Sequence, residues 1–494
     1  MRHKDWLLPV IVLVAPVALY WPTLHGWFIG DDYAFTPILT MSAKAVMQCL
    51  QMVHNGELRL HPFRPVAFAS FWLDYRIWGW NSFGFHLTNT LLHSCNALLI
   101  WFLARALKMP RYGALVSSLF YGLYPGHSEP VIWISCRFDL LSQTFFLASL
   151  LFWISGRRRS NSILMVLSAT TYLLSLFTKE TIAGGIVLFP LVDWLFLRDE
   201  PERPGRPRFW LGWLGAQLLA LATLTVTRLW LYGNVTGDVG RTRGQQFCGT
   251  PFVECVSRLW QDLWMLVTPV SRLIFSEFTV SVVGVLIFVL LAAAIYASLV
   301  AAAKRDFLPL KLLLLGIVWI FSLVIPTLFV DPVVSTLSGS RFLYAPCTGL
   351  ALIMGLTAWP SLTRYGRIVL TLFAVWLLVS TIILLQYNNA TYIESGKIVK
   401  GVDQVIFDNT QDIQDGDTIV VVNMPFFWKG AFFAPNGYSA YLQWIHQRRH
   451  LNLAYIQKDP KDIDSWWSGL QQSPNRHYYG FIWNASQQTL EPLH

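Results

Sequence analysis

Eleven apolar stretches, most of them near the ~20 residues that carry a helix across ~30 Å of hydrocarbon, set the limits on what this chain can become. They fall at about 6–23, 86–108, 112–126, 139–155, 161–178, 181–197, 208–232, 280–303, 308–330, 343–360 and 366–386. Charged residues make up only 13% of the 494, roughly half of the ~25% usual in a soluble domain. Its 23 tryptophans and 33 phenylalanines exceed what a soluble core can hide. The sequence therefore predicts an all-α polytopic membrane protein with about 11 transmembrane helices. The first stretch follows Arg2 and Lys4 and lacks a small-residue cleavage site, so it reads as an anchor and not as a removable signal.

Lys and Arg outnumber Asp and Glu by 37 to 28. The surplus punctuates the apolar runs and forms no basic domain or tail, so nucleic acid is not an expected partner. Arg105, Lys108 and Arg111, then Arg157, Arg158 and Arg159, then Arg198, Arg203, Arg206 and Arg208 fall on the N-terminal side of the bilayer. So do Lys304, Arg305 and Lys311, and Arg364 and Arg367. The positive-inside rule makes that side cytoplasmic, and an odd number of crossings puts the C-terminus on the other. Connections on the cytoplasmic side are short, so function is expected to face outward from 24–85, 126–138, 233–279, 331–342 and 387–494.

Within those segments, 41–53 and 256–275 have the spacing of amphipathic helices lying in the interface. Beyond Gln386 charge and amide content rise, and 417–424 (DTIVVVNM) reads as a buried strand. We expect a membrane domain over 1–386 and a small C-terminal α/β extracytoplasmic domain over 387–494. Its Trp428, Trp444, Trp466 and Trp467 offer flat faces of the kind that stack on sugar rings. Cys248 and Cys255, close together in one external loop, are the candidate disulfide.

Ionisable groups at membrane helices are costly to keep and so mark candidate sites. Asp31 and Asp32, just beyond the first stretch, can supply a general base with a partner or a ligand for a divalent metal, since adjacent carboxylates push each other's pKa apart. His127 and Glu129, between Pro125 and Pro130, are set to present an imidazole and a carboxylate to an external cavity, with Arg137 as a further candidate substrate contact, or to cap a turn and pair with Arg137. Arg64, Lys179 and Arg341, with Arg228 inside an apolar stretch, suit a phosphate or pyrophosphate. The stripe His86, Asn89, His93 and Asn96, spaced at helical intervals, reads as glue between membrane helices. No P-loop, dinucleotide fingerprint or HExxH zinc pattern occurs.

Taken in order, Trp27-Phe-Ile-Gly-Asp-Asp-Tyr-Ala-Phe, Phe63-Arg-Pro-Val, Phe83-Gly-Phe-His-Leu-Thr-Asn-Thr-Leu-Leu-His, Tyr124-Pro-Gly-His-Ser-Glu-Pro-Val, Thr178-Lys-Glu-Thr and Arg341-Phe-Leu-Tyr resemble the transmembrane O-mannosyltransferases with tetratricopeptide repeats. More broadly the chain resembles the GT-C superfamily of membrane glycosyltransferases, over about residues 5–390. The resemblance implies a polyprenyl-phosphate sugar as donor, an acceptor from the external face, inversion at the sugar, and a catalytic carboxylate in the first external loop. That carboxylate maps to Asp31 or Asp32, while Arg64, His127, Glu129, Lys179 and Arg341 line the donor cavity. No tetratricopeptide repeats follow the last apolar stretch, which points to a bacterial inner-membrane enzyme of the cell envelope acting on lipid or polysaccharide. A transporter of lipid-linked glycans would use the same cations without the carboxylates, and a non-catalytic assembly factor would act through the tail.

Overall fold

The helices stand where the apolar stretches place them, in a computed structural model that describes residues 6–44, 48, 63–198, 207–233, 252–329, 333–359, 364–433, 438–447, 451–472 and 477–493. Among the described residues seven helices are long and apolar enough to cross a bilayer: Leu7–His25, Ser82–Ala106, Ile134–Arg159, Glu180–Leu197, Gly212–Tyr232, Glu277–Ala303 and Leu308–Leu328. Shorter apolar helices, Ser162–Leu176 and Cys347–Ala358, pack among them. Arg111–Gly122 and the long Arg364–Asp408 account for the remaining stretches.

Within the bundle, apolarity gives no preference for one neighbour over lipid, so small and polar residues select the partners. Ser142 and Ser175, and one layer further Ser149 and Ser168, exchange hydroxyl and carbonyl hydrogen bonds between Arg137–Arg159 and Ser162–Leu176. Gln217 Nε2 extends the ladder to Ser168 Oγ at 2.8 Å. The polar stripe of Ser82–Ala106 does the same. His93 contacts Tyr344 Oη at 2.9 Å and Gly122 O at 3.0 Å, and Asn96 donates to Leu140 O at 2.9 Å.

Two elements depart from regular helices for local reasons. Glu180–Leu197 is a tight 3₁₀ segment, a short α-turn and a widened π-turn in succession. Pro190 lies within it, and Gly184 packs so close to the helix Leu308–Val324 that a Cβ would sit 1.8 Å from Ser322 O. The amphipathic segment expected over 256–275 is helical over Phe252–Val267 only, because Pro269 cannot continue the hydrogen-bond ladder. Most of 41–53, and Cys248 of the candidate disulfide, lie outside the described residues.

The tail folds as a four-stranded sheet in the order Asn452–Ile456, Thr418–Val422, Tyr478–Asn484, Thr489–Pro492. The first two pairings are parallel and the last antiparallel. The uniformly buried Thr418–Val422 lies at its centre, as its unbroken apolar run requires. Trp467, on the helix Ile463–Gln471, covers Gly480 so tightly that a Cβ there would meet the indole at 2.4 Å. Arg364–Asp408 enters this domain without interruption, so Gln386 lies in mid-helix.

Candidate active site

The turn 133–139 joins two helices at one end of the bundle. The helix Ser128–Ile132 stops at extended Trp133, a 3₁₀ turn covers Ile134–Cys136, and the next helix starts at Arg137 with Asp139 in its first turn. Trp133 lies beneath Arg341, whose guanidinium carbon is 5.0 Å from the ring centroid. Ser135 donates to Asp32 Oδ1 from its backbone N at 2.8 Å and from Oγ at 2.5 Å. Phe138 carries Arg64 on its face at 4.7 Å, and Asp139 pairs with Lys179 Nζ. Four positions of one short turn thus touch three cations and the loop that carries Asp32.

Those cations form one cluster. Arg64 forks onto Glu180, Nε to Oε2 at 3.1 Å and Nη2 to Oε1 at 2.8 Å, and Arg228 reaches the same carboxylate at 3.0 Å. Lys179 and Arg341 share the ring of Phe342 at 4.9 and 4.6 Å. Arg341 Nη1 pairs with Glu129 Oε1 at 2.5 Å. Lys179 and its partner Asp139 both lie within the fields of Arg64 and Arg341. Among the described residues Arg64, Lys179, Arg228 and Arg341 pair with Glu129, Asp139 and Glu180, four cations on three carboxylates. Arg341 and Arg64 keep part of their side chains open, 23% and 15%, whereas Lys179 is closed off. Such a site, away from bulk water, favours a dispersed anion such as a phosphate.

The Asp31-Asp32 doublet splits into two environments. Both sit on the 3₁₀ turn Gly30–Phe35. Asp32 is 2% exposed, and both of its oxygens are taken, Oδ2 by Ile29 N at 2.9 Å and Oδ1 by Ser135. Burial pushes its carboxyl up to about 7, outweighing the hydrogen bonds from Ile29 and Ser135, and the charge of Asp31 adds to the rise. That value would suit a base at neutral pH, while the hydrogen bonds to both oxygens tie Asp32 into its own loop and to the turn at Ser135. Asp31, on the same turn, is half-buried and so the more exposed of the two. The turn is held from the far side as well: Trp27 Nε1 and Tyr33 Oη each donate to Asp403 Oδ2 at 2.7 Å. Burial raises the Asp403 carboxyl to about 6 against these bonds.

Three further residues expected at the substrate are tied closely into the protein itself. His127 is fully buried, its Nδ1 2.9 Å from Tyr121 O and its ring against His93 and Tyr344 at 5.3 and 4.7 Å. Arg137 is also fully buried, with Nη1 2.6 Å from Asp74 Oδ2, Nε on Asn89 Oδ1 at 2.8 Å and Nη2 on Phe85 O at 2.9 Å. Glu129 accepts from Gly339 N, Ser340 Oγ and Arg341 N at 3.1, 3.1 and 2.8 Å, so it shapes the turn that carries Arg341. Residues that the sequence did not single out as site members are Asp74, Ser135, Asp139, Glu180 and Asp403. Asp139 and Glu180 carried a signal, each standing in a polar break beside an expected cation; Asp74 and Asp403 carried none. Among the described residues no group of three His, Cys, Asp or Glu side chains gathers as a metal site would need.

No protein-family model matches the chain. It is 32% identical over 207 residues to protein O-mannosyl-transferase Tmtc1 of Drosophila melanogaster, a match spanning 39% of this chain and 23% of that protein. It is 36% identical over 100 residues to protein O-mannosyl-transferase tmtc2 of Xenopus laevis, spanning 20% of this chain and 12% of that one. The matches therefore span less than a quarter of these relatives' own lengths. Among solved structures, the oligosaccharyltransferase of Archaeoglobus fulgidus superposes with a TM-score of 0.50 at 12% identity, over 92% of this chain and 64% of that one. Part of the chain is thus similar in sequence to the transmembrane O-mannosyltransferases, and its fold is like that of the Archaeoglobus fulgidus oligosaccharyltransferase, a GT-C-like fold.

Proposed function

We propose that the protein is an inverting membrane glycosyltransferase that moves a sugar from a polyprenyl-phosphate donor to a hydroxyl of an acceptor on the extracytoplasmic face. The observation that carries this reading is the turn 133–139, which holds an accessible carboxylate loop and a cation cluster on one short segment. In the reaction the acceptor oxygen bonds to the anomeric carbon as the bond from that carbon to the phosphate oxygen breaks. The acceptor proton passes to Asp31. The donor phosphodiester leaves as a monoester with one more negative charge, so cations that hold it stabilise the transition state more than the ground state. Arg341 and Arg64 are the phosphate contacts, Lys179 adds charge from behind, and Asp32 keeps the loop in place. Glu129, His127 and Arg137 act one step further back, by shaping the cavity.

The decisive experiment uses purified protein in detergent with radiolabelled undecaprenyl-phosphate mannose and an envelope extract as acceptor source. Transfer of label that depends on Asp31 is expected. Detergent leaves a transporter no product to make, so absence of both transfer and donor cleavage above the Asp31→Asn control would overturn the enzyme reading in favour of transport or assembly.

Arg341→Gln should weaken binding of undecaprenyl phosphate about tenfold or more, since a charge-assisted hydrogen bond is worth ~1.5–3 kcal/mol. The fold should survive, because Glu129 keeps Gly339 N, Ser340 Oγ and the backbone N of position 341. Unchanged affinity by a direct binding assay would remove Arg341 from the phosphate site. The same reading places the N-terminus in the cytoplasm and the C-terminal domain outside. Topology reporters fused after Arg158 and at His494 should then give opposite signals, and equal signals would reject the orientation.

A further inference from the structure

We propose that Asp403 is a positioning residue through which the C-terminal domain sets the pose of Asp31. The inference rests on the glycosyltransferase reading above for what Asp31 does, and on geometry alone for what holds it. Asp403 lies near the end of the helix Arg364–Asp408, well beyond the apolar stretch that ends near residue 386. Its Oδ2 accepts both the Trp27 indole and the Tyr33 hydroxyl at 2.7 Å, so one carboxylate oxygen ties two points on either side of Asp31.

The same helix also approaches the start of the loop directly. Gly396 lies so near that a Cβ there would be 2.8 Å from Trp27 N, and Lys400 Nζ stands 5.1 Å from the Trp27 ring. On the other side Tyr33 is fully buried, its ring meeting Tyr438 and Tyr441 edge-on at 5.0 Å each. Tyr438 and Tyr441 belong to the tail helix Tyr438–Ile445, whose Trp444 and Tyr441 also pack on Trp80 at 5.1 Å. With Asp32 fastened to Ser135, the loop is held at three points, two of them on Asp403. Docking of the tail against Tyr33 and the two bonds to Asp403 therefore form one unit. Loosening it frees the turn that carries Asp31 while leaving the cation cluster, built on 133–139, untouched.

The test compares full-length wild type with Asp403→Ala, Asp403→Asn and Tyr33→Phe by hydrogen exchange of 27–35, by turnover of undecaprenyl-phosphate mannose and by binding of undecaprenyl phosphate. Asp403→Ala should speed exchange in 27–35 and lower kcat about tenfold to a hundredfold, the scale of a misplacement near 1 Å. Donor-phosphate affinity should stay within about twofold. Asp403→Asn, which keeps one oxygen where both donors converge but removes the charge, should recover part of both effects. Tyr33→Phe removes one bond at the cost of a single hydroxyl, so it tests the tie even if Asp403→Ala folds poorly. Unchanged exchange in 27–35 in both Asp403→Ala and Tyr33→Phe would overturn the proposal, as would faster exchange with wild-type kcat. If wild type transfers no sugar at all, the function is wrong, and the exchange data still decide whether the tie exists.

Discussion

Replacing Asp31 with Asn should lower the rate of sugar transfer about 10²- to 10⁴-fold, the contribution of a general base positioned on a hydroxyl, and leave donor binding nearly unchanged. The split between kcat and affinity follows from the layout. Asp31 stands on the loop Gly30–Phe35, whereas phosphate recognition is assigned to Arg64, Lys179 and Arg341 around Phe138 and Phe342. Asn preserves size, so the fold of the turn should hold. The neighbouring Asp32→Asn is expected to behave differently. Asp32 accepts Ile29 N on one oxygen and Ser135 N and Oγ on the other. An amide must set its NH₂ group against one of those donors, leaving a buried pair unsatisfied at ~1–3 kcal/mol. Asp32→Asn should therefore lower the melting temperature as well as turnover, and Asp31→Asn turnover alone. Near-wild-type turnover in purified Asp31→Asn would remove that residue from the chemistry.

Asp74→Ala should be the most damaging single change to stability. Arg137 is fully buried and rests on Asp74 at 2.6 Å, between the faces of Phe71 and Phe85 at 4.6 and 5.8 Å. Without its carboxylate the guanidinium stays enclosed with Asn89 and a backbone carbonyl, and an orphaned buried charge costs ~3–5 kcal/mol. The consequence should reach the active site, because Ser135 and Phe138 flank Arg137 on the turn that holds Asp32 and Arg64. Thermal unfolding in detergent measures the first effect, and a double-mutant cycle with Arg137→Met isolates the pair. A loss below 1 kcal/mol in Asp74→Ala would mean that Arg137 finds another partner or water.

The apolar stretches carried most of the membrane fold in plain sight, because a 20-residue run of Leu, Val and Phe has few other fates. The strand at 417–424 was equally visible and forms over Thr418–Val422. The helix Arg364–Asp408 was not visible in full. Composition changes near Gln386 because the chain leaves hydrocarbon, but no proline follows before Asp408 to end the helix, so polarity and helicity part company there. Arg64, Lys179 and Arg341 were recognisable as unusual charges at helix ends. Their counter-charges were less so, since Arg64 and Glu180 are 116 residues apart and Arg341 and Glu129 are 212 apart. A sequence shows which residues are costly to bury; only the folded chain shows which neighbour makes each of them tolerable.

The turn 133–139 leaves little freedom for change in length. Helical residues advance by about 100° each, so one residue added just before Arg137 would swing Phe138 from Arg64, Asp139 from Lys179 and Arg137 from Asp74 together. Loops that carry none of these contacts can grow or shrink, but this segment behaves as a fixed gauge. A chimera that borrows an acceptor-facing loop from a relative would have to keep these seven positions in register to preserve the machinery beneath.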